Sequence, residues 1–389
     1  MQTDVVIVGA GPVGLSCAKA LSDQGRSVVI IDRQPRAALE DPAFDGREIA
    51  MTHRCVQTLE TLGIWAQVDS EEISPLCDAR VLDGLSPRGM EIIADEIGQK
   101  QLGFLLANHL IRRAAFQVAS AAEGVTLLTE TWPTEIDNGE KAVTLTLNDG
   151  QQLEAKLLLA ADNRFSETRR AVGIPAQMRD FGKSMLVCRM CHEKPHEQTA
   201  WEWFGYGQTM AVLPLRDNTA SFILTLPQAQ IQQMAELDET AFNDRMVERM
   251  HARLGEMTLI SPRLTYPLVG VYSERFCKGR TALIGDAAVG MHPVTAHGFN
   301  FGVYGVKRLT DLLAQVPVDG DVGSAALLRR YECGHRAATL PLYLATCAVV
   351  TLYTDDRMPA RLLRRGVLRA SGLLSPFKRH IASYLTRPA

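Results

Sequence analysis

A glycine-rich turn close to the N-terminus constrains the fold of this chain more than any other stretch. An apolar run at residues 5–8 leads into Gly9-Ala10-Gly11-Pro12-Val13-Gly14, and apolar residues at helical spacing follow. Strand, turn and helix in this order are typical of the first unit of a dinucleotide-binding domain. The stretch therefore predicts an α/β fold with a phosphate site at the start of the first helix.

Each glycine of this turn has a separate task. Gly9 permits the tight turn, Gly11 leaves room for a pyrophosphate against the backbone, and Gly14 lets the helix pack close to the strand. A second apolar run, at residues 28–31, ends at Asp32, where an acid accepts the hydroxyl groups of an adenosine ribose. FAD and NAD(P) both carry this ADP half, so the turn alone leaves the choice between them open.

Composition excludes several classes of protein. The net charge of -3 and the isoelectric point near 6.3 differ from the basic footprint of a nucleic-acid-binding protein. No basic leader with a cleavage site precedes the first strand, so we expect no signal peptide. The eight cysteines are scattered among apolar residues, which favours buried thiols in a reducing, cytoplasmic compartment.

A second segment places polar residues at the end of a strand. Residues 157–161 form a buried-strand pattern that ends at Asp162. Ser166 follows as a helix cap, and Arg169 lies in the helix that it begins. An acid at a strand end beside such a cap is a candidate ligand position.

A third segment has the same arrangement and adds a second helix terminus. Residues 281–284 form a buried strand that delivers Gly285 and Asp286, and a helix begins near Gly298. The aspartate suits the ribityl chain of a flavin, and the helix start suits negative charge on a reduced flavin ring. This segment therefore favours FAD over NAD(P).

The remaining patterns divide the chain into three parts. Helical spacing at residues 105–119 belongs to the nucleotide domain, and alternation over residues 185–266 predicts a mostly antiparallel sheet, with one helical interlude at 238–254. We expect a discontinuous FAD-binding domain at residues 1–73, 97–175 and 269–325, a substrate domain at 74–96 and 176–268, and a C-terminal helical region at 326–389.

With these three segments in this order, the chain resembles the single-component flavin aromatic hydroxylases related to p-hydroxybenzoate hydroxylase, the class A flavoprotein monooxygenases. Within that group it is most similar to the ubiquinone-biosynthesis hydroxylases, and the likeness covers nearly the whole chain. The motifs that carry the closer likeness are Phe44-Asp45-Gly46-Arg47, Leu59-Glu60-Thr61-Leu62-Gly63-Ile64-Trp65, Asn108-His109-Leu110-Ile111-Arg112, Tyr266-Pro267-Leu268, and Tyr331-Glu332 with Arg336.

The resemblance implies a Rossmann-like FAD-binding domain of the p-hydroxybenzoate hydroxylase type, with an inserted, mostly antiparallel substrate domain and a C-terminal helical segment. It also implies a set of cofactor-binding residues, each by its match to a family motif. These are Gly9, Gly11, Gly14 and Asp32 for the ADP part, with Pro12, Val13 and Arg33 beside them; Arg47 and Arg112 along the pyrophosphate and flavin; Asp162 and Arg169 for FAD and the visiting NAD(P)H; Asp286 for the ribityl chain, with Gly285 beside it; and Pro293, Gly298 and Asn300 around the isoalloxazine, with Phe299.

The activity that the resemblance implies is hydroxylation of the ring of a polyprenylated phenol in ubiquinone biosynthesis. In this family NAD(P)H reduces FAD, a flavin C4a-hydroperoxide forms with O2, and its distal oxygen passes to a ring position ortho or para to a hydroxyl group. No metal is required. His292 and His297 lie in the relevant segment, but the pattern assigns a general base to neither of them.

Three departures from the family pattern keep an alternative open. Asn163 replaces the usual glycine after Asp162, Val289 replaces the usual histidine, and Ala296-His297-Gly298 replaces Gly-Gln-Gly. Asparagine tolerates a left-handed conformation best after glycine, so the first turn is expected to survive. The departures are compatible with a weakly active, flavin-binding subunit of a quinone-biosynthesis assembly.

The C-terminal sequence bears on how the substrate arrives. Residues 340–353 are apolar but too short to span a bilayer. Arginines and lysines interleaved with apolar residues follow from Arg357 to Arg379, a combination that suits a helix lying on the anionic inner face of a membrane. A helical pair packed on the flavin domain, with a solvated basic face, is the alternative; an oligomer or a biosynthetic complex also stays open. A soluble catabolic hydroxylase of small aromatic acids is disfavoured by this terminus.

Two short patterns resemble functional motifs of other proteins. Cys188-Arg189-Met190-Cys191-His192 has the spacing of a haem attachment site, but it falls within an alternating strand and has no second pair at metal spacing. Trp201-Glu202-Trp203 shares its tryptophans with flavin halogenases and lacks the rest of their motif. We expect these tryptophans to be aromatic residues of the covering sheet or the pocket.

Overall fold

The computed structural model describes residues 1–84, 89–292, 297–354 and 357–359. Its strands, in chain order, are β1 (Gln2–Val8), β2 (Val28–Ile31), β3 (Glu48–Met51), β4 (Ser74–Leu76), β5 (Asp78–Asp83), β6 (Met90–Ile93), β7 (Gly103–Ala107), β8 (Val125–Leu128), β9 (Pro133–Asn138), β10 (Val143–Leu147), β11 (Gln152–Ala160), β12 (Ala176–His192), β13 (Thr199–Phe204), β14 (Thr209–Pro214), β15 (Thr219–Pro227), β16 (Met257–Leu259), β17 (Leu264–Ser273), β18 (Cys277–Lys278), β19 (Thr281–Leu283) and β20 (Val289–Gly290). Its helices are α1 (Pro12–Ser22), α2 (Arg36–Glu40), α3 (His53–Thr61), α4 (Asn108–Ser120), α5 (Glu167–Ala171), α6 (Gln228–Glu236), α7 (Glu239–Arg249), α8 (Gly298–Leu313) and α9 (Ala325–Thr354).

The first sheet is parallel at its centre, in the order β8-β2-β1-β11-β19. Residues 5–8 and 28–31 are β-branched and fully buried, as strands covered on both faces require. Three further strands pair antiparallel with this core, β18 on β19 and the β9–β10 hairpin on β11. The predicted α/β architecture is therefore present.

The strand order reverses beside β1. Chain order runs from β1 through α1 to β2 on one side, whereas β11 pairs with the other side of β1. In open α/β sheets a ligand binds outside the carboxyl ends of the strands at such a reversal. The turn after β1, residues 161–166 after β11 and the turn after β19 all lie at this edge.

The second sheet is mostly antiparallel, in the order β20-β17-β12-β15-β14-β13-β5-β6, with one parallel pair between β13 and β5. One of its faces buries apolar side chains such as Trp203, Met210 and Phe222 against α6 and α7. Helix α6 was not predicted, because its nine residues bury only Ile231 and Met234 and so carry little helical periodicity.

A small sheet, β3-β7-β4, contacts β14 of the second sheet through β4 and α8 through β3. It corrects the predicted helix at residues 105–119, since residues 105–107 end β7 and α4 begins at Asn108. Leu105 and Leu106 are both buried. A short continuous apolar run fits a buried strand as well as a helix, so its pattern could not decide between them.

Helix α9 closes the described chain and packs through Tyr331 and Tyr343 into the core of the first sheet. The apolar residues 340–353 form its last turns. Among the helices that the structure describes, none has the length and apolar character needed to cross a membrane. The basic residues that follow, except the exposed Arg357, lie outside the described residues.

Candidate functional site

The three predicted nucleotide segments meet at the reversal point of the first sheet. A Cβ atom on Gly9 would lie 2.5 Å from the carbonyl oxygen of Ala161, so the turn after β1 touches the end of β11. A Cβ on Gly285 would lie 3.3 Å from Val13, and one on Gly302 of α8 would lie 2.6 Å from the same side chain. Segments far apart in sequence therefore form one continuous surface.

Helix α1 presents its N-terminus to open space. Gly11 is its N-cap in extended conformation, no side chain caps the helix, and Pro12 is its first residue. A Cβ on Gly11 would meet no atom within 4 Å, whereas a Cβ on Gly14 would lie 2.1 Å from the carbonyl oxygen of Gly9. Gly14 is thus required for packing, and Gly11 keeps clear a space that the backbone N–H groups face.

The acid at the end of β2 lies beside this turn. The Asp32 carboxylate accepts hydrogen bonds from the N–H of Ala10 at 2.7 Å and the N–H of Gln34 at 2.8 Å. Arg112 donates to the side chain of Gln34 at 3.2 Å. Asp32 and Arg112 therefore both contact Gln34. Arg33 instead pairs with Glu167 at the surface.

The segment after β11 contains an unsatisfied acceptor. Asp162 Oδ2 accepts from the N–H of Thr168 at 3.2 Å, while its Oδ1 is buried with no hydrogen-bond partner among the described residues. Arg169 is 2% exposed and donates to the carbonyl oxygens of Arg164 and Ala287, both at 3.1 Å. Burial lowers the pKa of Arg169. Arg169 thus ties two segments together, whereas one oxygen of Asp162 has no partner among the described residues.

Asn163 keeps its turn in a different way from the one expected. It does not adopt a positive φ angle; its side-chain oxygen accepts from the N–H of Phe165 at 2.7 Å, and its carbonyl oxygen accepts from the N–H of Ser166 at 3.0 Å. The Ser166 side chain then caps α5 through the N–H of Arg169. The glycine that the family has at this position is therefore replaced by an Asx turn.

Asp286 lies where the third segment meets the second. It follows Gly285, whose φ is +60°, and its Oδ2 accepts from an Arg164 guanidinium nitrogen at 3.0 Å. A Cβ on Gly298 would lie 3.9 Å from Asp286 Oδ1, so α8 begins beside the carboxylate. Sequence reasoning did not single out Arg164, because a basic residue in a turn carries no distinctive spacing. Pro293 lies outside the described residues.

The first turn of α8 is tied to the small sheet. The Asn300 side chain accepts from the N–H of Thr52 at 2.9 Å and donates to the carbonyl oxygen of Ala50 at 2.8 Å. Phe299 packs against the core of the first sheet. Val289, at the family's histidine position, is buried in β20 opposite Tyr272. These contacts give Asn300 and Val289 structural roles.

Arg47 lies in a polar cluster between the two large sheets. It binds Asp45 at 2.5 Å, Asn108 donates to the same carboxylate at 2.6 Å, and Tyr266 donates to the carbonyl oxygen of Asp45 at 2.7 Å. Burial favours the neutral acid, but Arg47 and Asn108 outweigh it and lower the pKa of Asp45. Asp45 therefore holds the Arg47 guanidinium group in place. Asp45 and Asn108 both lie in motifs that the sequence analysis identified, but their spacing in the sequence does not predict that they contact each other.

A small pocket of about 20 Å³ lies between the second sheet, the segment that ends at His292, and α9. Its lining residues are Phe181, Lys183, Phe204, Thr209, Thr225, His292 and Val350. Phe181 packs edge-on against His292, with ring centroids 4.9 Å apart. Burial, with the charges of Lys183 and Arg164, lowers the pKa of His292 to about 4. The imidazole is therefore neutral at physiological pH.

Known proteins that are similar to this chain include FAD-binding proteins, in agreement with the nucleotide site described above. The FAD binding domain family matches residues 2–339. The chain is 41% identical to the ubiquinone hydroxylase UbiM of Neisseria meningitidis, over 99% of this chain and 85% of that protein. It is 34% identical to the ubiquinone hydroxylase UbiL of Rhodospirillum rubrum, over 97% of this chain and 87% of that protein.

Solved structures show the same fold at lower sequence identity. The p-nitrophenol 4-monooxygenase PnpA of Pseudomonas putida superposes with a TM-score of 0.79 at 18% identity, and the match covers 100% of both chains. The probable FAD-dependent monooxygenase pqsL of Pseudomonas aeruginosa gives a TM-score of 0.72 at 20% identity, over 92% of this chain and 98% of that one.

Proposed function

The chain belongs to the FAD-binding family that includes the ubiquinone hydroxylases, and we propose that it hydroxylates the aromatic ring of a polyprenylated phenol in ubiquinone biosynthesis. The observation that carries this proposal is the convergence of the three nucleotide segments at one edge of the first sheet, in a chain 41% identical to a ubiquinone hydroxylase. The names of the relatives favour an enzyme over a flavin-binding subunit.

The residues at the strand ends fit FAD. The open space at Gly11 and the N–H groups of α1 suit a pyrophosphate, and Asp32 suits a ribose. The unpartnered Asp162 Oδ1 and the half-exposed Asp286 carboxylate are acceptors for hydroxyl groups. When FAD is bound and reduced by NAD(P)H, it supplies the activated oxygen that is transferred to the ring.

The chain's own residues shape the pocket for this reaction. Phe181, Phe204 and Val350 exclude water from the ring. The neutral His292 imidazole exchanges a hydrogen bond with the ring hydroxyl group without adding charge. The ammonium group of Lys183 favours the phenolate form of the substrate. A phenolate is the more electron-rich ring and the better nucleophile.

The C-terminal helix links the pocket to the surface. Val350 of α9 lines the pocket, whereas Leu344 and Val349 of the same helix are 57% and 38% exposed. The sequence beyond α9 is basic and apolar, as in helices that lie on anionic lipid. We propose that the protein works in the cytoplasm at the inner face of a membrane, where the prenyl tail enters along α9.

Complementation tests the substrate. A strain that lacks a ring hydroxylase of quinone synthesis accumulates one prenylphenol, and expression of this chain is expected to convert it to the next intermediate, identified by mass. An Asp286→Ala variant serves as the inactive control. The polyprenyl substrate would be overturned if the prenylphenol still accumulates in every such strain and the purified protein hydroxylates a water-soluble phenol instead.

Sedimentation with phosphatidylglycerol liposomes tests the membrane contact, which is excluded if the protein stays in the supernatant.

A further inference from the structure

We propose that Glu202 anchors the substrate ring, through a hydrogen bond between its carboxyl group and an oxygen substituent of the ring. The inference rests on the proposed function, because it takes the pocket beside His292 as the substrate site. It adds a substrate-binding residue that no motif assigns, in the middle of the Trp201-Glu202-Trp203 pattern.

Alternation along β13 places Glu202 on the pocket face of the second sheet. Trp203 is 2% exposed and belongs to the core beneath α6 and α7. Its neighbours Glu202 and Phe204 point to the opposite face, and Phe204 lines the pocket. Trp203 is thus an aromatic residue of the covering sheet, one of the two expected positions, and its indole N–H donates to the carbonyl oxygen of Gly84 at 2.7 Å.

Strand register extends the pocket wall to Glu202. Phe204 pairs with Thr209, and Thr209 pairs with Thr225, so the three form one row across β13, β14 and β15. All three line the pocket. The next row of this face contains Glu202, Ala211 and Ile223, two residues along each strand and on the same side.

The row that contains Glu202 is partly accessible. Glu202, Ala211 and Ile223 each keep accessible surface, although the opposite face of the same strands is almost fully buried, as at Met210 and Phe222. Burial nevertheless raises the pKa of Glu202 to about 8. The register and the accessibility of this row together extend the pocket-lining face of the sheet to Glu202.

The chemistry of this cavity wall defines its ligand. Glu202 makes no side-chain hydrogen bond or ion pair with another residue in the described part of the chain, and its neighbours in the row are apolar. A partly desolvated carboxyl group without a protein partner is free to bind a polar ligand group. In its neutral form it both donates and accepts, as a phenol or methoxyphenol oxygen requires.

The test combines variants of the protein with variants of the ligand. The probes are 2-farnesylphenol and farnesylbenzene, which lacks the ring oxygen, and binding to the FAD-loaded protein is measured by quenching of flavin fluorescence. The variants are Glu202→Leu, which loses the hydrogen bond, Glu202→Gln, which keeps a donor and an acceptor, and Glu236→Gln, an exposed control on α6, behind the sheet.

We expect the wild-type protein and the Glu236→Gln control to prefer the phenol over farnesylbenzene by roughly 10- to 100-fold, the usual effect of one buried hydrogen bond. Glu202→Leu is expected to bind both probes alike, and Glu202→Gln to restore most of the preference. FAD affinity should be the same in all four proteins.

An equal preference for the phenol in Glu202→Leu and in the wild type would overturn the inference. If the leucine variant fails to retain FAD, Glu202→Ala replaces it in the same comparison. Failure of the proposed function can be told apart from failure of this inference. In that case the wild-type protein forms no hydroxylated product, whatever the binding preference of Glu202→Leu.

Discussion

A guanidinium nitrogen of Arg164 donates to Asp286 Oδ2 at 3.0 Å and so joins the segment after β11 to the segment after β19. Arg164 also donates to the carbonyl oxygen of Val269 at 3.0 Å, which fixes its direction. The pair is partly exposed, with 28% and 37% of the two side chains accessible. Asp286 is thereby held in place before a ligand binds.

Loss of this pair is expected to weaken FAD binding. Arg164→Ala should raise the FAD dissociation constant by about tenfold, the effect of one lost charge-assisted hydrogen bond, measured by flavin fluorescence titration. Arg33→Ala is the matched control, since Arg33 pairs with Glu167 at the surface and its loss should change the constant less than twofold. Equal losses in the two variants would contradict the placement of Arg164 at the site.

The two glycines of the first turn should fail in different ways. Gly11→Ala is expected to fold normally, because a Cβ there meets nothing within 4 Å, yet to bind FAD at least about tenfold more weakly, because the methyl group enters the pyrophosphate space. Gly14→Ala places a Cβ 2.1 Å from the carbonyl oxygen of Gly9 and should lower the melting temperature of the apoprotein. A Gly11→Ala protein with wild-type FAD affinity would show that the phosphates lie elsewhere.

The ion pair between Glu48 and Arg189 should stabilise the contact between the small sheet and the second sheet. Arg189 Nε donates to Glu48 at 2.8 Å, and the Glu48 side chain is 1% exposed. Arg189→Met leaves a buried carboxylate unpaired and should cost about 3–5 kcal/mol. The double variant Glu48→Gln with Arg189→Met should recover most of the melting temperature. A single variant as stable as the wild type would contradict the buried pair.

Glu202→Gln should stabilise the protein in a pH-dependent way. The pKa of Glu202 is raised from 4.5 to about 8, so the folded protein holds a proton that the unfolded chain has lost, and stability falls as pH rises from 4.5 to 8. Glutamine removes this dependence. At pH 8.5 the variant should gain up to roughly 4 to 5 kcal/mol, at about 1.4 kcal/mol per pKa unit.

The measurement is thermal unfolding of the two apoproteins across this pH range. The difference in melting temperature should be smallest near pH 4.5 and largest above pH 8. A constant difference across the range would show that Glu202 ionises in the folded protein as it does in the unfolded chain.

The sequence predicted the first sheet and the convergence of its three segments because those elements are locally encoded. Residues 5–8 and 28–31 are apolar on both faces, Gly9 and Asp286 follow strand ends, and Gly14 lies in the first turn of α1 where a Cβ would clash with the backbone. These signals depend on neighbours in the chain, so they can be read without the structure.

The contacts that complete the site depend on tertiary structure. Arg164, Asp45 and Glu202 acquire their roles from residues on other strands. Neither periodicity nor spacing distinguishes such a residue from any other charged residue in a turn or strand. Arg169 is the opposite case. The sequence motif predicted that it binds the cofactor, but its guanidinium group donates to the backbone carbonyl oxygens of Arg164 and Ala287.

The source of the transferred oxygen tests the central claim most directly. Purified protein with FAD and NAD(P)H is given 2-farnesylphenol in liposomes under oxygen-18 gas, and the product is analysed by mass spectrometry. We expect one ring hydroxyl group that carries oxygen-18, formed by the wild type and not by Asp286→Ala. Unchanged phenol, or a product whose new oxygen comes from water, would contradict the assignment of this chain as a flavin-dependent monooxygenase of prenylphenols.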